Sequence, residues 1–114
     1  MRSIALTVIP AYNESKTIEF IIKECIKFSD VLVINDGSRD NTEEVSRGAG
    51  AEVVSHSKNF GYERAIKTGA DYFLKKEQYD KLIYVDADGE ISCSCAQFIV
   101  SQLSPEVPII IGSR

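Results

Sequence analysis

Short runs of apolar residues alternate along the chain with segments in which apolar residues recur at helical spacing. The runs predict five strands, at 4–9, 31–34, 53–54, 82–85 and 107–111. Strands that are apolar throughout are typical of a sheet buried on both faces. We expect Pro10 to end the first strand, because proline has no backbone N–H to donate, and Gly112 to end the last.

Between the strands, the spacing of apolar residues predicts four helices. The first has one apolar face, formed by Ile18, Ile21, Ile22, Cys25 and Ile26, and Asn13 precedes it as a candidate cap. The others are expected at 42–47, 65–74 and 96–103. The spacing places Cys25 in the core as a small apolar residue.

Alternating strands and helices predict an α/β fold with a parallel sheet and helices on both faces, in α/β/α layers. A length of 114 residues favours one domain, spanning 1–114. Ligands of such sheets bind beyond the carboxyl ends of the strands, where the strand order reverses. Polar loops follow the first four strands at 12–14, 36–38, 59–61 and 86–89, and we expect them to meet at that edge.

Two aspartates in the last of these loops are candidate metal ligands. Asp86 and Asp88 directly follow a strand, and paired carboxylates suit Mg²⁺ or Mn²⁺ bound together with substrate phosphates. The alternative for an isolated pair of aspartates is that they cap the next helix. Because the loop that carries this pair is expected to meet three other polar loops, we favour the metal site.

Other residues of the loops suit a nucleotide. Tyr12 offers a ring for stacking on a base, while Glu14 and Asp36 can accept hydrogen bonds from ribose hydroxyls or a base N–H. The alternative for Asp36, considered alone, is a turn aspartate whose side chain accepts hydrogen bonds from its own backbone. Arg64 could bind a diphosphate, or it could be an ordinary solvent-exposed charge on a helix.

Charge and composition exclude several classes of protein. The net charge is −4 and no basic cluster exceeds Lys75-Lys76, so a nucleic-acid partner is not expected. The apolar runs fall short of the roughly 20 residues of a membrane span, and we expect no span and no signal peptide. Three cysteines, an odd number, favour reduced thiols and a cytoplasmic protein.

Several catalytic motifs are absent. His56 is the only histidine, and without a G-x-S-x-G elbow it does not indicate a hydrolase triad. Cys93 and Cys95 lack a second pair at zinc-finger spacing. Neither glycine-rich phosphate motif, G-x-x-x-x-G-K-[ST] or G-x-G-x-x-G, occurs, which excludes an ordinary NTPase or dehydrogenase.

Five motifs run through the chain in a recognisable order. They are Ile-Pro-Ala-Tyr-Asn-Glu at 9–14, Asn-Asp-Gly-Ser-Arg-Asp-Asn-Thr at 35–42, Asn-Phe-Gly at 59–61, Asp-Ala-Asp-Gly at 86–89 and Ile-Gly-Ser-Arg at 111–114. Their order and spacing resemble the inverting family 2 glycosyltransferases, and most closely the dolichol-phosphate mannose and glucose synthases. The resemblance implies the GT-A fold, a Rossmann-like domain that binds a GDP- or UDP-sugar.

The resemblance also implies roles for individual residues. Pro10, Tyr12 and Glu14 would border the base and ribose, and Asp36 would bind one of them. The remaining matches would hold the metal and the diphosphate: Asp86 and Asp88 of the D-x-D, Arg114 near the phosphates and, more loosely, Arg64. Glu90, where related enzymes have glutamine, keeps an oxygen ligand for the metal.

The acceptor side departs from the family pattern. Related enzymes have Asp-Gly-Gln-His where this chain has Asp88-Gly89-Glu90-Ile91, and a proline-containing acidic helix start where it has Ser92 to Cys95. They also continue past the G-S-R segment into an acceptor half that we do not expect in this chain, so the catalytic base is unknown. A polyprenyl-phosphate acceptor at a membrane surface, already ionised, would need no base.

Three other classes of protein stay open. A noncatalytic nucleotide-sugar-binding domain fits the same motifs. A phosphoryl-transfer enzyme with Asp86 as nucleophile, or a receiver-like signalling module, fits the length but not the placing of the acidic residues. The apolar strand at 107–111 further predicts a homo-oligomer, because an uncovered strand edge pairs readily with another chain.

Overall fold

The fold is a parallel five-stranded sheet with helices on both faces, seen in a computed structural model that describes residues 5–85, 87 and 109–112. The elements in chain order are β1 Ala5–Ala11, α1 Ile18–Cys25, β2 Asp30–Asn35, α2 Thr42–Gly48, β3 Glu52–Ser55, α3 Tyr62–Lys76, β4 Lys81–Val85 and β5 Ile109–Gly112. The predicted α/β fold with a parallel sheet is therefore confirmed.

The strand order is β3-β2-β1-β4-β5, and every neighbouring pair is parallel. The chain moves outward from β1 to β2 and β3, then returns to add β4 on the other side of β1. The order therefore reverses between β1 and β4, which is where a doubly wound sheet binds ligands. It also differs from the 2-1-3-4-5 order of receiver-like proteins, so that alternative is excluded.

The two faces of the sheet carry different helices. Leu6 and Val8 of β1 pack on the side covered by α3, whereas Ile9 and Ala11 pack on the side covered by α1 and α2. This alternation follows from the two-residue period of a strand. The predicted apolar face of α1 is confirmed, and Cys25 is buried with it.

The prediction that β1 ends at Pro10 is wrong. β1 continues to Ala11, and Pro10 and Ala11 pair with Ile34 and Asn35 of β2. The Ala11 carbonyl accepts the Asp36 N–H on the β2 side, so the backbone of Pro10 faces the β4 side. Pairing with β4 stops at Val8, and the missing N–H therefore breaks no hydrogen bond of the sheet.

Two other predicted boundaries differ. Helix α1 begins after Thr17 rather than after Asn13, which has a left-handed φ of 54° and serves another purpose described below. Gly112 lies within β5 instead of ending it, since it pairs with Val85. The start of the predicted fifth strand, at 107–108, and the predicted helix at 96–103 lie outside the described residues.

No helix in the described part is long and apolar enough to cross a membrane.

Replacing Gly69 by alanine is expected to lower the free energy of unfolding by about 1–2 kcal/mol, despite the better helix propensity of alanine. A Cβ at Gly69 would lie 2.5 Å from Cγ1 of Val8, so the glycine allows α3 to sit directly on β1. Gly48→Ala is the matched control, because a Cβ there has no atom within 4 Å. Urea unfolding of both variants tests the close approach, and an equal effect of the two substitutions would contradict it.

Candidate functional site

A cleft of about 210 Å³ lies where the carboxyl ends of β1 and β2 meet the start of α3. Its lining residues come from the end of β1, from three of the polar loops and from the first turn of α3: Pro10, Ala11, Tyr12, Glu14, Asp36, Asn59, Gly61, Tyr62 and Ala65. The structure thus brings together Pro10, Tyr12, Glu14 and Asp36, the residues predicted to border a nucleoside. Tyr12 is 42% exposed, which leaves its ring accessible.

The carboxylate of Asp36 connects this cleft to the loop that follows β3. Its Oδ1 accepts hydrogen bonds from the Phe60 N–H at 2.9 Å and from Nδ1 of His56 at 2.7 Å. Its Oδ2 accepts the Gly61 N–H at 2.8 Å. Asp36 is therefore not bonded within its own turn, as one interpretation of the sequence had it, but holds a loop more than twenty residues further along the chain.

These donors determine the ionisation of Asp36. Burial acts to raise the pKa of the carboxyl, but the hydrogen bonds from His56, Phe60 and Gly61 outweigh it and lower the pKa below the usual 3.8. The carboxylate is only 6% exposed, so it keeps its charge through these contacts rather than through hydration. A buried, ionised acceptor consequently forms part of the cleft wall.

His56 extends the network to α3. Its Nε2 lies 2.9 Å from the Thr68 hydroxyl, which in turn donates to the Arg64 carbonyl at 3.0 Å. Its own backbone N–H donates to the Asn35 carbonyl at the end of β2. The sequence suggests for His56 only a catalytic triad or a zinc site, and neither is supported there. Its role beside Asp36 could not be predicted, since a lone histidine carries no signal of its partner's position.

The motif residues of the first two loops mainly bond to one another. The Asn13 N–H donates to the Ser38 hydroxyl at 2.9 Å, and Oδ1 of Asn13 accepts the Arg39 N–H at 2.8 Å. The left-handed backbone of Asn13, a conformation that asparagine tolerates, directs both groups toward the second loop. This contact, rather than a helix cap, accounts for Asn13.

A second set of contacts fastens the same two loops at the start of α2. Thr42 accepts the Glu14 N–H at 2.9 Å and bonds through its hydroxyl to Asp40, which also accepts the Ser15 N–H at 3.3 Å. Burial acts to raise the pKa of Asp40, but the hydrogen bonds from Thr42 and Ser15 outweigh it and lower the pKa. Bonds between the chain's own groups therefore hold this wall of the cleft.

Arg64 does not line the cleft. Its guanidinium carbon lies 5.0 Å from the centroid of the Phe60 ring, and Nζ of Lys58 lies 5.6 Å from the same centroid. Both distances are within the range of cation–π attraction. The structure thus gives Arg64 an aromatic partner at the rim, and its contact with a diphosphate stays a prediction.

The predicted metal ligands Asp86, Asp88 and Glu90 and the predicted phosphate ligand Arg114 lie outside the described residues. Ala87, between the two aspartates in sequence, is buried, and its carbonyl accepts the Thr17 hydroxyl at 3.3 Å. The residue at the centre of the D-x-D is therefore attached to the start of α1. Within the described ranges, no three His, Cys, Asp or Glu side chains form a group that could hold a metal ion.

A larger cleft, of about 290 Å³, lies at the amino ends of β1, β2 and β3. It is lined by Asp30, Tyr72, Lys76 and Tyr79 among others, and the Tyr79 hydroxyl donates to Asp30 at 2.9 Å. Of the residues predicted to bind a ligand, none that the structure describes lines this cleft. Parallel sheets bind ligands at the opposite edge, so size alone does not make this cleft the functional site.

Two known proteins with similar sequences are named as glycosyltransferases. "Glycosyltransferase AglJ" of Haloferax volcanii is 32% identical over 107 residues, which are 92% of this chain and 34% of the relative. A dolichyl-phosphate beta-glucosyltransferase of Trichomonas vaginalis is 29% identical over 99 residues, covering 72% of this chain and 28% of the relative.

A solved structure shows the same fold. Glucosyl-3-phosphoglycerate synthase from Mycobacterium tuberculosis, in complex with Mn²⁺, UDP and glucosyl-3-phosphoglycerate, superposes with a TM-score of 0.61 at 26% identity. The match covers 75% of this chain and 33% of that one. The Rossmann-like GT-A fold implied by the motifs is therefore confirmed.

This chain is much shorter than its relatives, spanning between 34% and 45% of the length of the first three curated ones. The sequence profile described as "Glycosyl transferase family 2" matches residues 7–114, which is nearly the whole chain. On that match, with the relatives and the fold in agreement, the chain belongs to glycosyl transferase family 2.

Proposed function

We propose that this chain binds the nucleotide-sugar donor of a family 2 glycosyltransferase, for transfer of a hexosyl group to an acceptor. The observation that carries the proposal is the cleft at the carboxyl ends of β1 and β2. Its wall contains an ionised, buried aspartate and an exposed tyrosine ring, the two kinds of group that recognise a base. The family and the fold support the same function.

The nucleoside would bind between Tyr12 and Asp36. Tyr12 offers a stacking surface beside Pro10, and Asp36 uses three acceptor positions of about four on the hydrogen bonds described. The remaining position on Oδ2 suits a base N–H or a ribose hydroxyl. Glu14, at the same end of the cleft, supplies a second carboxylate for the ribose.

A divalent cation, Mg²⁺ or Mn²⁺, would be held by Asp86, Asp88 and Glu90. The donor set fits, since these residues offer the hard oxygen ligands that both ions prefer. Ala87, between the two aspartates in sequence, contacts the start of α1, because its carbonyl accepts the Thr17 hydroxyl. Such an ion supplies Lewis-acid stabilisation of charge on the leaving diphosphate, and we propose Arg114 and Arg64 as further partners of the phosphates.

The acceptor we propose is a lipid phosphate, such as a polyprenyl phosphate, presented at a membrane surface to a peripheral protein. A relative named for dolichyl phosphate supports this class of acceptor. An ionised phosphate oxygen is already a nucleophile, so no general base is required of this chain. Cytoplasmic location and homo-oligomerisation stay predictions from the sequence.

Calorimetric titration with UDP-glucose and GDP-mannose, each with and without Mn²⁺, tests the proposed function. We expect one of the two to bind and Mn²⁺ to strengthen its binding. Transfer of the hexose to a short-chain polyprenyl phosphate then separates an enzyme from a noncatalytic binding domain. Absence of binding by either nucleotide sugar would refute the proposal.

Asp88→Asn is expected to abolish the Mn²⁺-dependent part of nucleotide-sugar binding, because a neutral amide is a poor ligand for a hard cation. The free energy of unfolding should stay within about 1 kcal/mol of the parent's, as is usual for a surface site. Asp71→Asn, which neutralises an exposed carboxylate on α3, is the matched control. Metal-dependent affinity that survives in the Asp88 variant would refute the assignment.

A further inference from the structure

We propose that His56 is a positioning residue of the nucleoside cleft, acting through Asp36, and that its change of charge sets the strength of nucleotide-sugar binding. This inference rests on the function proposed above and adds a regulation to the same site. It follows from the hydrogen bonds at the two ring nitrogens, which are 2.7 Å from Oδ1 of Asp36 and 2.9 Å from the Thr68 hydroxyl.

The contact with Asp36 determines which ring nitrogen carries a proton. An ionised carboxylate only accepts hydrogen bonds, so Nδ1 of His56 must be the donor whether the ring is neutral or charged. The position of the imidazole relative to Asp36 is therefore the same in both states. Only Nε2 changes when the ring gains a proton.

Thr68 can satisfy Nε2 in both states. When Nε2 has no proton, the Thr68 hydroxyl can donate to it; when Nε2 is protonated, the hydroxyl oxygen accepts and its proton goes to the Arg64 carbonyl, 3.0 Å away. That carbonyl is already the acceptor of the helix hydrogen bond, so losing the hydroxyl leaves it paired. The network can thus change charge without a buried group losing its partner.

The change of charge acts directly on the free acceptor position of Asp36. An imidazolium ring offsets the negative charge of the carboxylate beside it, whereas a neutral ring leaves that charge fully available to a base N–H or a ribose hydroxyl. Hydrogen bonds to a charged acceptor are roughly twice as strong as those to a neutral one. A neutral His56 should therefore favour binding.

Several charged groups lie on the segments packed against the imidazole. They include Glu43 on α2, which accepts a hydrogen bond from Ser55, Lys58 and Arg64 over the Phe60 ring, and Glu63, Lys67 and Asp71 on α3. The Phe60 ring also makes an edge contact with His56, with the ring centroids 5.4 Å apart. Within the described residues, Asp36 is the charged side chain bonded to the imidazole.

The test is the pH profile of binding, with UDP-glucose and GDP-mannose as the probes. Their diphosphates are diesters and do not titrate near neutrality, so a profile between about pH 5.5 and about pH 8.5 reports on the protein. We expect affinity to rise about threefold to tenfold as the pH increases across this range and the imidazole loses its charge. His56→Asn, which keeps a neutral donor toward Asp36, should bind with a flat profile.

Two further measurements keep the result interpretable. His56 is the only histidine, so its ring signals in an NMR titration are identified without assignment work. By linkage, saturating nucleotide sugar should favour the neutral ring, so the ring signals should change at lower pH when the ligand is bound. Tyr79→Phe, which removes a hydrogen bond at the opposite edge of the sheet, is the structural control and should keep the parent profile.

The outcomes separate the two proposals. If neither nucleotide sugar binds at any pH, the proposed function fails and this inference fails with it. If one binds but the parent profile is flat, or if His56→Asn keeps the parent slope, the inference alone is overturned. Should the asparagine variant not fold, the NMR titration of the parent with and without ligand decides, and an unmoved titration contradicts the proposal.

Discussion

Replacing Asp36 by alanine is expected to lower the free energy of unfolding by about 3–5 kcal/mol, an effect typical of a broken buried network. The substitution leaves the N–H groups of Phe60 and Gly61 without their acceptor and His56 without its partner. Because these groups are buried, each lost hydrogen bond lowers the free energy of unfolding. Chemical unfolding of the variant beside Asp71→Ala, an exposed carboxylate on α3, measures the effect.

The same residue predicts how stability depends on pH. The folded-state pKa of Asp36 lies below its unfolded value, so its stabilisation is complete above about pH 4 and is lost as the pH falls through the lower, folded value. The difference in stability between the parent and Asp36→Ala should therefore shrink in acid. A difference that stays constant down to about pH 2 would show that the carboxylate contributes nothing through its charge.

The structural contacts of Asp36 change how its proposed role in binding must be tested. From the sequence, a loss of affinity of about 1–3 kcal/mol in Asp36→Ala would identify a nucleoside contact. In the structure Asp36 holds the loop at 59–61, part of the cleft wall, so the same substitution is expected to release that loop and to weaken binding even without a direct contact. Affinity and stability have to be measured together in each variant.

Gly37→Ala is the second substitution with a large expected effect, a loss of at least about 3 kcal/mol in the free energy of unfolding. Gly37 has a φ of 73°, which is unfavourable for alanine, and a Cβ there would meet the backbone of Lys58 and lie 2.5 Å from the Asn59 nitrogen. Backbone atoms cannot rotate away as a side chain can. The loops after β2 and β3 would have to separate.

Gly50→Ala is the control for Gly37→Ala. Gly50 also has a positive φ, of 106°, but a Cβ there would meet only the terminal methyl group of Ile26, a flexible side chain. We expect Gly50→Ala to be clearly less destabilising in the same urea titration and to leave nucleotide-sugar binding unchanged. Equal losses in the two variants would show that φ strain alone explains the effect at Gly37.

Most of the fold could be predicted from the sequence, because buried parallel strands and amphipathic helices leave strong local patterns. The apolar run before Pro10 and the helical spacing from Ile18 onward each marked an element that the structure contains. The boundary at Pro10 could not be predicted, since it depends on which neighbouring strand its backbone faces. That is a property of the sheet and not of the residue.

The candidate site was predictable in its location but not in its internal contacts. Motif spacing brought Tyr12, Glu14 and Asp36 to one edge, and the structure places all three on one cleft. The partners of Asp36 and Asn13 lie at least twenty residues away in sequence, and no local pattern encodes a contact at that separation. Sequence motifs indicated ligand contacts where the structure shows, in large part, bonds between loops.

The strand order has a consequence for how the protein is assembled during synthesis. Because β1 is central and β2 and β3 follow outward from it, each new strand adds to an edge that already exists, and β4 later joins the free side of β1. Every lining residue of the nucleoside cleft lies between Pro10 and Ala65, whereas Asp86 and Asp88 are made only after β4. The lining residues of the nucleoside cleft are therefore synthesised before the aspartates that would hold the metal.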